Sequence, residues 1–218
     1  MKTILKSILL GTIFCFAMFS CNSDELTTGG TLTGTIADYV TGSIDSLKCC
    51  ANDSIDSIIG KTAVLSNGKF TLILTAPTGS KVKKMTGVVI SDSTAQWGTG
   101  KIYAFKSHLP IGSVTKCNFT HNSSATPTVG DGYVMLVYST KPFSLKGSLV
   151  KDTVTTTYDM NLKSGWNQVL YKLTEYTISA TGRKLTYTNT TSIPTDLKWR
   201  YFSFQSQKIK RFQYPGIR

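Results

Sequence analysis

From residue 31 onward, short runs rich in Thr, Val, Ile, Tyr and Phe alternate with clusters of Gly, Asn, Asp and Ser, and no stretch repeats apolar residues at helical spacing. This pattern constrains the chain most. The runs "TLTGTIA", "SLKCC", "GKTAVL", "KFTLILT", "GVVIS", "KIYAFK", "GSVTKCNF", "YVMLVYS", "FSLKGSLV", "VTTTYDMNL", "WNQVLYKL", "EYTISA", "KLTYTN" and "WRYFSF" read as strands. With 218 residues, 40% apolar and 17% charged, the chain can bury a core. The expected fold is all-β: an antiparallel β-sandwich, or sandwiches, with meander hairpins over residues 31–218. It forms one domain, or two with a boundary near 78–86. "SNGKF" predicts a type I′ turn at Asn67-Gly68, and "NLKSGWNQV" predicts a three-residue hairpin loop at Lys163, Ser164 and Gly165. The charged end "QKIKRFQYPGIR" reads as loosely packed.

The first residues follow other rules. Lys2 and Lys6 precede "ILLGTIFCFAMF", a charge-free run that is too short to span a bilayer, which takes about 20 residues. Ser20, Cys21 and the polar "NSDE" come next. This order resembles a bacterial lipoprotein signal, and with Met18 and Phe19 before the small residue it is similar to the looser form of Bacteroidetes-type bacteria. The resemblance implies a cleaved signal helix at 1–20, lipidation of Cys21 and a tether at 21–30. A multiply acylated cysteine anchors stably, since each buried methylene contributes about 0.8 kcal/mol. Asp24 and Glu25 resemble the acidic export signal for the outer face of the outer membrane. The implied location is the bacterial outer membrane, at the cell surface.

The chemistry of catalysis is hard to assemble from the remaining residues. Beyond residue 25 there are two histidines, His108 and His121, and one glutamate, Glu175. Asp131 in "VGDGY" has the composition of a turn, and no nucleophile elbow, phosphate loop or metal-helix motif occurs. The chain is expected to be no enzyme and to need no cofactor. Cys49, Cys50, Cys117 and His121 make a zinc set on paper, but "CNFTH" holds its two candidates roughly 13 Å apart when extended, so no metal is expected. Adjacent Cys49 and Cys50 point to opposite sides of a strand, leaving one able to meet Cys117; buried free thiols are the favoured reading.

Binding is better supported. Trp97 in "DSTAQWGTG" reads as a loop tryptophan that either stacks on a sugar or buries against the core, the latter being the commoner fate of a single Trp, while Trp166 and Trp199 sit in strand patterns and read as core. Net charge is +12, and +10 without residues 1–20, whose charges are Lys2 and Lys6. Such an excess suits anionic partners; no nucleic-acid motif accompanies it, so phosphorylated lipid A headgroups, acidic glycans or another anionic envelope polymer fit better. "SKVKKM" supplies Lys81, Lys83 and Lys84 as the densest basic cluster of the middle region.

Two further resemblances follow from these residues. "TLTGTIADYVTGSIDSLKCC" with "SNGKFTLILTAP" resembles carboxypeptidase-regulatory-like, transthyretin-type sandwiches, and "DMNLKSGWNQVLY" is similar to a hairpin of Bacteroidetes lipoproteins of unassigned function. Asp followed by Ser or Thr and then an apolar residue or Thr resembles the O-glycan acceptor of Bacteroidetes secreted proteins. It recurs at Ser46, Ser54, Ser57, Ser93 and Thr153. The whole implies a lipid-anchored, non-catalytic β-sandwich that binds or builds at the cell surface, with a glycan-binding accessory protein as the first alternative and an envelope enzyme as the second.

Overall fold

The computed structural model describes residues 26–27, 29–37, 39–52, 54, 56–84, 89–105, 117–122, 128–130, 132–179 and 182–203. Among them there is no α-helix, and fourteen strands follow one another. They are β1 (Thr31–Thr35), β2 (Ser46–Ala51), β3 (Ile58–Ala63), β4 (Lys69–Ile73), β5 (Lys83–Lys84), β6 (Val89–Ile90), β7 (Gln96–Phe105) and β8 (Cys117–Asn122). The last six are β9 (Gly132–Ser139), β10 (Phe143–Lys151), β11 (Val154–Leu162), β12 (Gly165–Ser179), β13 (Gly182–Thr190) and β14 (Lys198–Ser203).

β1 and β4 form a two-stranded layer; the other twelve strands form one sheet, in the order β3-β2-β7-β8-β9-β12-β13-β11-β10-β6, with β14 on β8 and β5 on β7. One sheet therefore carries strands from both sides of residues 78–86. Period-two alternation divides its side chains between two cores. On one face Leu47 and Cys49 of β2, Ile102 and Ala104 of β7, Leu136 of β9 and Trp166 of β12 pack against Leu32, Phe70 and Leu72 of the β1–β4 layer. Trp199 closes that core at 1% exposure, edge-on to Phe70 at 5.6 Å, a contact worth about 1 kcal/mol beyond its buried area. On the opposite face the sheet folds over itself, so that Val137 of β9 and Val169 of β12 meet Phe143, Leu145, Met160 and Leu162 of β10 and β11. β9 and β12 are thus buried on both sides, which is why "YVMLVYS" is so apolar and why Val169, Leu170 and Tyr171 are buried in succession.

Several connections depart from a meander. β11 and β12 flank β13, and β11 pairs with β13 in parallel, so Lys163-Ser164-Gly165 is an arch between layers rather than a hairpin loop. Gly165 has φ 93, and Asn167 locks the arch: its Oδ1 accepts from the Lys163 N–H at 2.8 Å, and its Nδ2 donates to the carbonyls of Lys163 and Gly165 at 2.8 and 2.9 Å. The turn at Asn67-Gly68 is not type I′, because Gly68 alone is left-handed (φ 78) while Asn67 Oδ1 accepts the Lys69 N–H. It leads from β3 into β4, which belong to different sheets. β7, β8 and β9 meet in a three-way junction: residues 97–100 pair with 136–139, 102–104 with 117–119, and 121–122 with 133–134, each antiparallel. "WNQVLYKL" and "EYTISA" are one strand interrupted by a bulge between Leu173 and Glu175.

The fold also begins earlier than residue 31. Leu26 bridges Leu32 and packs on the first core, the Gly30 N–H donates to the Thr27 carbonyl, and Gly30 is buried at φ 90. Leu26, Thr27, Gly29 and Gly30 are therefore part of the described fold. The N-terminal 25 residues, including the segment expected to be a signal and Cys21, and the C-terminal "QKIKRFQYPGIR" lie outside the described residues.

Candidate functional site

Trp97 does not lie in a loop. Gln96–Phe105 is a single strand, in which Trp97 is half-buried against the second core and stands opposite Lys83 of β5 and Ser139 of β9. The glycines that suggested a loop are there because neighbours come close. A Cβ on Gly98 would lie 2.6 Å from the Lys81 carbonyl oxygen, and one on Gly100 would lie 2.9 Å from Cys49 Sγ and 3.1 Å from the Trp166 ring. The basic "SKVKKM" cluster is likewise ordered. Lys81 ends a short 3-10 turn, its carbonyl accepts from Asn52 Nδ2 at 3.1 Å, and the exposed Lys83 and Lys84 pair with Trp97 and Gln96.

The register brings Trp97 and Lys83 onto a larger surface. Alternation along β7 sets Trp97, Thr99, Lys101, Tyr103 and Phe105 on the face opposite the β1–β4 layer. Ser46, Lys48 and Cys50 of β2 share that face, as do Ile58, Lys61 and Ala63 of β3. Tyr103, Phe105 and the fully buried Cys50 form a small cluster there. Lys48 Nζ lies 4.2 Å from the centre of the Phe105 ring, and Lys101 Nζ lies 5.7 Å from that of Tyr103, so two ammonium groups rest on aromatic faces. Lys61 is exposed and stands directly opposite Lys48. Like charges so placed repel, and among the described residues neither lysine has an acidic partner. A stripe of rings and ammonium groups results, about 27 Å long from Trp97 to Phe105 at roughly 3.3 Å per residue.

Sequence reasoning reached Trp97 and Lys83 but missed Lys48, Lys61, Lys101, Tyr103 and Phe105. Lys48 and Lys61 are each the one basic residue of an apolar run, "SLKCC" and "GKTAVL", and Lys101 opens a third, "KIYAFK". Only cross-strand register makes a cluster of them. Alternation placing each lysine outward was the available signal.

The hydroxyl candidates sort by surroundings. Ser46 is half-buried in β2 with strands on both sides. Ser54 is exposed in the turn after β2, where its carbonyl accepts the Ser57 N–H, and Ser57 is half-buried. Ser93 is exposed in a turn built by Asp92, whose Oδ1 accepts from the Thr94 hydroxyl at 2.6 Å and the Thr94 N–H at 2.8 Å. Those bonds, the hydroxyl's first, hold the Asp92 carboxyl below its usual range. Thr153 is exposed at the tip of the β10–β11 hairpin, after Asp152 at φ 53.

Cys49 and Cys50 are buried free thiols, and burial, reinforced by Cys50, pushes the Cys49 thiol far above the ordinary range. β8, which carries Cys117, is two strands away from β2 across β7. Two strand spacings are roughly 10 Å, beyond the roughly 7 Å that a disulfide tolerates between Cα atoms. Among the described residues no three metal-ligating side chains gather. His108 and Asp131 lie outside the described residues, and Glu175 is exposed, accepting from the Thr186 hydroxyl at 2.9 Å. No protein-family model matches the chain, and no curated protein or solved structure matches it.

Proposed function

We propose that this chain is a lipid-anchored binding protein of the bacterial envelope whose ligand is an anionic polymer held on the face of β3, β2 and β7. The observation that carries this reading is the pairing of Lys48 with Lys61 beside Lys101, over Tyr103 and Phe105. A like-charge pair on a sheet costs stability, and an anionic ligand converts that cost into binding energy. The buried rings of Phe105 and Tyr103 hold the ammonium groups of Lys48 and Lys101 above them. An acidic polysaccharide presents its carboxylates to such a row of cations.

The anchor rests on Cys21 and the segment before it. It gives an outer-membrane, surface-facing location and a lineage among Bacteroidetes-type surface lipoproteins. The proposed role is binding, supported by the ammonium groups that the stripe gathers on one face. A neutral-glycan reading centred on Trp97 is the alternative.

Titration of the full chain with a polyuronate and with a neutral dextran separates them. We expect binding to the polyuronate, weakening with salt, and about tenfold weaker for Lys48→Gln/Lys61→Gln, since each exposed ionic contact contributes roughly 0.5–1 kcal/mol. Binding to dextran that Trp97→Ala abolishes would favour the alternative instead.

A further inference from the structure

Apolar side chains gather at one tip of the β1–β4 layer. Val40 is 64% exposed and Leu65 57% exposed, and they sit on adjoining turns. The Thr41 hydroxyl donates to the Ser66 carbonyl at 3.4 Å, and the Tyr39 side chain packs so tightly over Gly68 that a Cβ there would lie 2.8 Å from the Tyr39 Cβ and 2.9 Å from its ring. Lys69, exposed, stands at the same end as the first residue of β4. Each turn is braced, the first by Ser43 N–H to the Val40 carbonyl and the second by Gly68 N–H to the Leu65 carbonyl. Neither hydrophobic residue is exposed through slackness of its loop.

The chain's own direction relates this tip to Cys21. Leu26 makes an antiparallel bridge to Leu32, so at Leu26 the chain read toward its N-terminus heads for the Thr35 end of β1, where Ile36 bonds to Gly68. Cys21 is five residues from Leu26, a reach of about 17 Å at most. From Leu32 to Ile36 is four residues, about 13 Å of strand. A lipid on Cys21 therefore holds the tip within reach of the bilayer.

We infer that Tyr39, Val40 and Leu65 form a membrane-docking tip that seats in the interfacial zone of the bilayer, with Lys69 meeting headgroup phosphates. The inference rests on lipidation of Cys21. Two aliphatic side chains and an amphipathic tyrosine suit the depth at which rings and short apolar chains partition, and a cation beside them suits an anionic headgroup layer. Docking would set the strands of β1 and β4 across the membrane plane, with the Phe105 end of the basic stripe lower and the Trp97 end higher, because the Asp45 N–H beside this tip bonds to the Phe105 carbonyl.

The test uses the full chain isolated from membranes of a lipoprotein-processing host and reconstituted in phosphatidylethanolamine–phosphatidylglycerol vesicles. Val40→Trp and Leu65→Trp variants are compared with Ile73→Trp, an exposed position at the far end of β4. We expect the tip tryptophans to gain blue-shifted emission and to be quenched by lipid-borne quenchers, and the Ile73→Trp signal to gain neither. Intact mass reports acylation separately. An acylated chain whose tip tryptophans stay solvent-quenched, or whose Ile73→Trp signal shifts equally, overturns the docking tip alone; an unacylated chain overturns it together with the anchor.

Discussion

Gly34 illustrates how one absent methyl group shapes the first core. A Cβ there would lie 2.6 Å from the Trp199 ring and 2.7 Å from the Phe70 ring, so the indole fills space that only glycine leaves. Gly34→Ala should lower stability by about 1–3 kcal/mol, measured by denaturant unfolding, because neither ring can retreat from a packed core. Cys49 makes a second residue-scale case. Its folded thiol keeps its proton far above 9.0, the pKa of the unfolded group, so below about pH 9 both states are protonated and the contribution is complete. Above that pH the unfolded chain loses the proton and the folded chain does not, so stability falls as pH rises. The thermal midpoint of Cys49→Ala should fall less steeply toward about pH 10 than that of the parent. The burial of Trp166 and Trp199 was legible in the sequence because each sits within a strand pattern rich in aromatic and aliphatic residues; the partners of Lys48 were not, because register is a long-range property.

At the scale of elements, strands were legible wherever β-branched residues clustered and illegible wherever glycine served close packing. "QWGTG" has the composition of a loop, yet it opens β7, since Gly98 and Gly100 let the Lys81 carbonyl and the Trp166 ring approach the sheet. The arch at 163–165 misled for the opposite reason. Lys-Ser-Gly is sound hairpin chemistry, but β13 takes the position beside β11 that a hairpin would have given to β12. Asn167 holds that arch with three short hydrogen bonds at 9% exposure, so Asn167→Ala should cost about 2–4 kcal/mol in thermal or denaturant unfolding by stranding backbone groups of Lys163 and Gly165. Turn geometry also orders the acceptor serines and threonines. If the chain carries O-glycans in its native membrane, peptide mapping should find them at the exposed Ser54, Ser93 and Thr153 before Ser46, whose strand is paired on both sides; modification of Ser46 alone would contradict that order.

In the whole molecule, β9 and β12 serve two cores at once, and this sharing joins the halves on either side of residues 78–86 into one sheet. The sheet's remaining face, on β3, β2 and β7, is where Lys48, Lys61 and Lys101 collect above buried rings. Composition indicated the charge, and the fold gives it an address. The proposed binding surface is tested most directly by mapping amide resonances of the full chain as an acidic polysaccharide is added. The account predicts shifts concentrated at Lys48, Lys61, Lys101, Tyr103 and Phe105, with little change along the outer ladder of Lys146 and Asp159 on β10 and β11. Shifts centred on that ladder, or none at all at a polymer concentration that saturates a micromolar site, would contradict it.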